Sequence, residues 1–252
     1  MVRVPSVIVG FVGSGNMAAA MARGWMGKLE SMLFTDSGSG RAAELAREVG
    51  GEAVGLNAEL AKRADVIVLA VKPAKLEQVA LELGAAKAIV SLLGATSLET
   101  LRRAFPEAEV GRAMPNLAVE VGCGVLCTSG SLSPDMRRAL AGLGRVEDLD
   151  DAEFDAATAV MGCSPAYFAL AVEALAEAGA EAGLDGELAR ELVVETLVGT
   201  GELLRRRDPL DVRDSVASPG GSTEAGLEAL AGAGAAEAFA AAVRASLERM
   251  RG

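Results

Sequence analysis

The chain has 252 residues, 51% of them hydrophobic, a formal net charge of −11 and no histidine. That length suffices for one large domain or two smaller ones with a sizeable core. The acidic balance argues against binding a nucleic-acid backbone, which needs clustered positive charge. The missing histidine excludes Ser-His-Asp triads, histidine general acids and histidine-ligated metal sites.

Taken in chain order, the first segment is ambiguous. Arg3 followed by VPSVIVGFVGSG and then AAAMA has the charge, apolar stretch and small residues of a secretion signal. Gly10, Gly13 and Gly15 fall at spacings that an apolar signal core does not require. A strand over Ser6–Val12 turning into a helix over GSGNMAAAMARGWM accounts for them, so export is rejected. A second strand is predicted at Ser31–Asp36, then a helix GRAAELAREVG closed by Gly50. Ala64–Val71 is a third, continuously apolar as a buried parallel strand should be. Strands at Lys87–Gly94 and Ala108–Met114 follow, with helices at Lys75–Leu83 and Ser97–Phe105. Strand and helix alternating at this spacing predict an α/β domain with a doubly wound parallel sheet, residues 1–150.

From Asp151 the character changes, and alanine and leucine dominate. Helices are predicted at Tyr167–Ala182, Gly186–Arg207, Leu227–Leu230 and Ala235–Met250, making residues 151–252 an all-helical domain. These helices are apolar on more than one face, which predicts burial against a partner subunit, hence a homodimer or a higher homo-oligomer. Arg205, Arg206 and Arg207 read as a solvated helix end. No apolar run reaches bilayer length, so no membrane contact is expected. Cys123, Cys127 and Cys163 form no standard zinc set and read as reduced, small core residues of a cytoplasmic protein.

VIVGFVGSGNMA contains Gly13-x-Gly15-x-x-Ala18 between a strand and a helix. Such glycines permit a tight turn and a close approach to a pyrophosphate, while the helix N-terminus supplies N–H groups and positive dipole. The first domain is therefore expected to be Rossmann-type, with Gly13, Ser14, Gly15, Asn16 and Met17 beside a dinucleotide. Asp36 lies 23 residues after Gly13, where an acid would hold ribose hydroxyls; a turn or N-cap role fits it equally. Ser37, Ser39 and Arg41 would instead suit a 2′-phosphate. Val71-Lys72-Pro73 and Met114-Pro115-Asn116 end two strands at the carboxyl rim, where ligands collect. Lys72 and Asn116 offer polar groups beside a nicotinamide. MGCSPAYF, Met161–Phe168, holds the only tyrosine, Tyr167, whose plain reading is core packing with a satisfied hydroxyl. VASPGGSTEAGLEAL, Val216–Leu230, interrupts a helical region with two glycines. Ser222 or Thr223 would serve there as an N-cap, or the turn would aim N–H groups at a small anion.

GSGNMA, VKP, MPN, GCSPAY and SPGGST in this order resemble the pyrroline-5-carboxylate reductase family over nearly the whole chain. The resemblance implies a Rossmann domain, a helical domain interlocked in a dimer, and reduction of 1-pyrroline-5-carboxylate to L-proline with NADPH preferred and NADH possible. It also implies that Ser218, Gly220, Gly221, Ser222 and Thr223 bind the substrate, backbone N–H groups holding its carboxylate while Thr223 reaches the ring nitrogen. Three departures stand out: GCSPAY for GSGPAY, MPNL for MPNT, and, near Arg206, no counterpart of an acid that some relatives carry upstream of the SPGG turn. The chemistry suits a chain without histidine, because the cofactor supplies the hydride and an iminium substrate needs only orientation. Two alternatives remain, a reductase of another imine or β-hydroxy acid on the same scaffold, and a non-catalytic dinucleotide sensor. No lysine follows Lys87, which weakens a lysine-base mechanism of the β-hydroxy acid kind.

Overall fold

The computed structural model describes residues 7–251. Two compact units divide the chain: one runs to Pro165 and takes in Arg249 onward, the other is Ala166–Glu248.

The first unit is built on an eight-stranded sheet. Its strands are β1 Ile8–Val12, β2 Ser31–Thr35, β3 Glu52–Ala53, β4 Val66–Leu69, β5 Ala88–Ser91, β6 Glu109–Pro115, β7 Gly124–Gly130 and β8 Gly144–Asp148. They lie in the order β3-β2-β1-β4-β5-β6-β7-β8. All neighbours are parallel except β6 and β7, which run antiparallel. The order through β6 is that of a doubly wound dinucleotide-binding sheet. The helices are α1 Asn16–Gly24, α2 Arg41–Val49, α3 Asn57–Arg63, α4 Leu76–Glu82, α5 Leu98–Ala104, α6 Pro134–Ala141 and α7 Phe154–Ala157. A π-helical turn, Thr158–Gly162, follows α7.

The two sheet faces carry separate apolar clusters. One gathers Phe11, Trp25 and Phe34, with Phe11 stacked on Phe34 at 5.1 Å and tilted against Trp25 at 5.9 Å. The Trp25 indole N–H donates to Ala139 O at 2.7 Å, satisfying the one polar atom it buries. The other cluster packs Leu60, Ile67, Leu69, Leu83, Ile89 and Leu101. A Cβ on Gly24 would stand 2.1 Å from Val119 O, so only glycine lets α1 lie on the 3-10 turn Leu117–Val121.

Several boundaries differ from expectation. Of the predicted first strand, Ser6 lies outside the described residues, as does Arg3 of the signal-like segment. Gly50 closes α2 in the left-handed conformation, φ 73°, as predicted. The strand expected over Ala64–Val71 is only β4, because α3 ends at Arg63 and the chain turns away after Leu69. β3, α3, β7, α6 and β8 were not predicted, and the sheet is not wholly parallel. Of the cysteines, only Cys127 is buried; Cys123 is exposed and Cys163 half-buried, which corrects their reading as core residues. Burial, followed by the charge of Glu147, pushes the Cys127 thiol pKa up.

Helix α8, Ser164–Glu181, enters the second unit, which also holds α9 Gly186–Leu204, α10 Pro209–Val216, α11 Ser222–Gly232 and most of α12 Ala235–Arg251. Two of these helices start at side-chain caps: Asp185 accepts from Glu187 and Leu188 N–H at 3.0 and 3.1 Å ahead of α9, and Asp208 from Leu210 N–H at 2.8 Å ahead of α10 and Pro209. α10 was not predicted. The Tyr167 hydroxyl meets Ser246 Oγ at 2.8 Å, joining α8 to α12, though the ring is only half-buried. Among the described residues of this unit only Ala176 and Ala189 are buried. The Phe154–Glu181 run spans 28 residues and contains an 18-residue window of mean hydropathy 1.5, long and apolar enough to cross a membrane by length and composition. The expectation that no run reaches that length is corrected to this extent. The stretch also carries Glu173, Glu177 and Glu181.

Candidate functional site

A cleft of about 780 Å³ opens at the carboxyl ends of β1, β2 and β4 in the first unit. Gly13 follows β1 with φ 97°, and a Cβ there would stand 2.6 Å from Ala70 O, so glycine is required where the turn crosses the end of β4. Gly13 N–H and Ser14 Oγ both donate to Thr35 O at 3.1 Å, tying the turn to β2. Gly15 is the N-cap residue of α1, and no side chain caps the helix. A Cβ on Gly15 would meet nothing within 4 Å. Its small size therefore answers to no neighbour in the chain, and with the bare N–H groups of α1 it fits a pyrophosphate. Asn16 is exposed at the first position of α1, Met17 packs half-buried on the core, and Ala18 is fully buried.

Asp36 lies just beyond β2 on the cleft wall. Its carboxylate accepts from Gly38 N–H at 2.7 Å, Ser39 N–H at 3.1 Å, Ser39 Oγ at 3.0 Å and Ala42 N–H at 2.8 Å. The Ala42 N–H, followed by the Gly38 N–H, holds its pKa below the ordinary range despite partial burial. The turn reading of Asp36 therefore holds, although Gly40 and not Asp36 is the N-cap residue of α2; the residue also lines the cleft. Ser37, Ser39 and Arg41 line the same wall.

Val71 and Lys72 line the opposite wall, ahead of the 3-10 turn Pro73–Lys75. Sequence reasoning missed a polar chain along the floor. Thr35 Oγ1 donates to Asn57 Oδ1 at 2.6 Å, and Asn57 Nδ2 to Glu82 Oε2 at 2.6 Å. Gln78 Nε2 donates to Glu82 Oε1 at 3.1 Å, and Lys75 Nζ to Gln78 Oε1 at 3.3 Å. No motif announces these residues, which the fold collects from β2, α3 and α4.

Met114 and Pro115 end β6 opposite Cys127 and Leu126 of β7. Asn116 follows, buried, and its side chain is engaged within the fold: Oδ1 accepts from Val125 N–H at 3.1 Å and Nδ2 donates to Met161 O at 3.3 Å.

In the second unit the Ser218–Thr223 turn has Gly220 at φ 73°, with Gly221 N–H donating to Ser218 O at 2.9 Å. Gly221, not Ser222 or Thr223, is the N-cap residue of α11, and no side chain caps that helix. The plain capping role expected for those hydroxyls is therefore corrected: Ser222 and Thr223 stand in the first turn. Gly220 N–H donates to Glu224 Oε2 at 2.7 Å. Among the described residues no His, Cys, Asp and Glu cluster suits a metal ion.

A doubly wound sheet with an uncapped glycine turn in its carboxyl-edge cleft defines a dinucleotide-binding domain of the oxidoreductase kind. Residues 8–94 match the family model "NADP oxidoreductase coenzyme F420-dependent", and residues 151–252 match "Pyrroline-5-carboxylate reductase dimerisation". The pyrroline-5-carboxylate reductase of Thermus thermophilus is 34% identical across 98% of this chain and 97% of its own length. The solved structure of 1-pyrroline-5-carboxylate reductase from Streptococcus pyogenes superposes with a TM-score of 0.90 at 27% identity, covering 98% of this chain and 99% of that one. That of the Plasmodium falciparum pyrroline carboxylate reductase with NADP bound gives 0.88 at 27% identity, covering 99% and 98%. The chain belongs to the pyrroline-5-carboxylate reductase family. It is an NAD(P)H-dependent oxidoreductase.

Proposed function

We propose that this chain reduces 1-pyrroline-5-carboxylate to L-proline. The observation that carries the reading is end-to-end similarity to reductases of that name, in a chain that keeps both the Gly13–Gly15 cleft and the Ser218–Thr223 turn. A reduced nicotinamide bound in the cleft supplies the hydride, which adds to the imine carbon while the nitrogen holds a proton; C=N becomes CH–NH.

The chain's own residues bind and orient. Residues 1–150 form the dinucleotide domain and 151–252 the substrate-binding and dimerisation domain. Gly13, Ser14, Gly15, Asn16 and Met17 receive the pyrophosphate, and Val71, Lys72, Pro73, Met114 and Pro115 bound the nicotinamide end. Asp36 and Ser37 meet the adenosine ribose. NADPH is preferred, because Ser37 and Arg41 offer donors to a 2′-phosphate while the Asp36 carboxylate is held by four donors, two of them from Ser39. Its charge persists, so NADH is also accepted. Ser218, Gly220, Gly221 and Ser222 hold the substrate carboxylate, and Thr223 is the catalytic hydroxyl at the ring nitrogen. The protein works as a homodimer or higher assembly, in the cytoplasm.

The test is the purified chain with 1-pyrroline-5-carboxylate and each reduced nicotinamide in turn. Substrate-dependent loss of nicotinamide absorbance, faster with NADPH and inhibited by proline, is expected. Nucleotide binding without that loss would reveal a sensor instead of a reductase.

A further inference from the structure

Strand β6 and the residue just after it carry two buried polar side chains, Arg112 and Asn116, that reach beyond the sheet. Arg112 and Asn116 are four residues apart, an even spacing that puts them on one side of an extended chain. Arg112 pairs with Asp151 through Nη1, and its guanidinium lies 4.0 Å from the centre of the Phe154 ring. Asp151 also accepts from Leu98 N–H at 3.1 Å through its second oxygen. Arg112 Nε is buried without an acceptor among the described residues, so the side chain is held by these few partners alone.

Asn116, 9% exposed, engages both ends of its amide. Oδ1 takes Val125 N–H, and the backbone N–H of Asn116 takes Val125 O at 3.0 Å, extending the β6–β7 ladder by one pair. Nδ2 reaches Met161 O. Met161 belongs to the π-helical turn Thr158–Gly162. Such turns are rare, lack ordinary i→i−4 closure and concentrate at functional sites. This one is fastened by side chains: Thr158 Oγ1 donates to Phe154 O at 2.7 Å, Ser164 Oγ donates to Val160 O, and Asn116 grips the turn from outside.

We propose that Arg112 and Asn116 form a two-point clamp by which β6 holds residues 151–161, and that Asn116 is a positioning residue acting through the π-turn. The turn ends at Gly162, the first residue of the GCSPAY motif, and leads directly into Cys163 and Ser164. Asn116 thus fastens that stretch at the carboxyl end of β6, the edge of the sheet where ligands react. Its amide is spent on this task, so its contribution to the reaction is placement of the GCS stretch and not a bond to nicotinamide. The functional half of this inference rests on the imine-reductase reading; the clamp does not.

Asn116→Asp separates the possibilities in the full chain. It keeps shape and the acceptor for Val125 but removes the donor to Met161. KM for 1-pyrroline-5-carboxylate should rise about fivefold, as expected for one lost hydrogen bond, with NADPH Kd within about twofold of the parent. Hydrogen exchange of residues 158–164 should accelerate by a similar factor, a readout that stands even if the parent proves inactive on this substrate. A raised NADPH Kd with unchanged exchange would make Asn116 a cofactor ligand and overturn the proposal. A fall in kcat alone, with KM, Kd and exchange unchanged, would mean only a smaller folded fraction and would overturn it too. So would no change in any of the four. If Asn116→Asp does not fold, Asn116→Ser is measured in the same way against the same outcomes.

Discussion

The two units of the chain solve the problem of burial differently. The sheet unit closes two apolar clusters over both faces and hides its largest side chains, Trp25, Phe11 and Phe34 among them. The helical unit buries only Ala176 and Ala189 among its described residues and leaves Phe168, Leu170, Leu192, Val198 and Phe239 more than half exposed. At about 25 cal/mol per Å² of apolar surface, a unit with so little of its own interior gains too little to offset chain entropy unaided. Its exposed apolar faces agree with the family model "Pyrroline-5-carboxylate reductase dimerisation", which matches residues 151–252. A domain can thus be fully helical in sequence and structure and still leave most of its apolar side chains uncovered by its own chain.

The largest effect should come from attacking that dependence. At micromolar concentration the parent should sediment without substantial monomer. Leu170→Glu combined with Val198→Glu puts charges on helices α8 and α9 where partner burial is expected. The cost should be about 3 kcal/mol or more, over a hundredfold in dimer dissociation, with activity lost in step. A monodisperse, well-folded parent monomer would remove the contrast between the units altogether.

Next come the two glycines of the cofactor turn. Gly13→Ala forces a Cβ to within 2.6 Å of Ala70 O at φ 97° and should cost about 1–3 kcal/mol of stability in thermal unfolding. Gly15→Leu sets its Cβ in open space, so it should fold normally and weaken NADPH binding by about tenfold or more by titration. Equal stability losses in both variants would show that Gly15 answers to packing after all.

Thr223→Val tests the substrate turn while keeping its shape. Loss of one hydrogen bond to a polarised partner should cost about 1.5–3 kcal/mol, at least about tenfold in kcat/KM, with NADPH affinity unchanged. Full activity would return the turn to a purely structural role.

The smallest effect concerns acid. Asp36 and Asp148 both have folded pKa values below the ordinary range, Asp36 chiefly through Ala42 N–H and Asp148 chiefly through Thr128. Their stabilisation is complete above the unfolded value of about 4 and is lost as pH falls through the lower folded values. Denaturant unfolding of the parent should weaken below about pH 4, and Asp36→Ala should reduce that slope. The same variant should shift preference further towards NADPH; an unmoved NADPH-to-NADH ratio would mean that Asp36 only shapes its loop.

Much of this organisation is legible in the chain. β1, β4 and β5 are short β-branched runs and β2 a short, mostly apolar one, α2 ends at a glycine stop, and GSGNMA sits between strand and helix, so local pattern suffices. β3 has only two residues and offers no periodicity to read. α6 and α10 carry signals that went unread: Ser133 caps α6 ahead of Pro134, and Asp208 and Pro209 open α10 in the same way. The Thr35–Asn57–Glu82 chain has no sequence signal, because its members are 22 and 25 residues apart and meet only through the sheet order.

By itself, the sequence determined the alternation of strand and helix, the cofactor turn, the family and the apolar excess of the second half. Each depends on residues close in the chain or on composition, where spacing and side-chain type act directly. Tertiary structure alone decided that a Cβ on Gly15 would meet no neighbour in the chain, that Asp36 binds its own loop, and that Gly221 is the N-cap residue of α11. It also decided that Asn116 grips a π-turn 45 residues away. Burial and hydrogen-bond partnership are settled by what the fold brings alongside, and no local pattern carries that information.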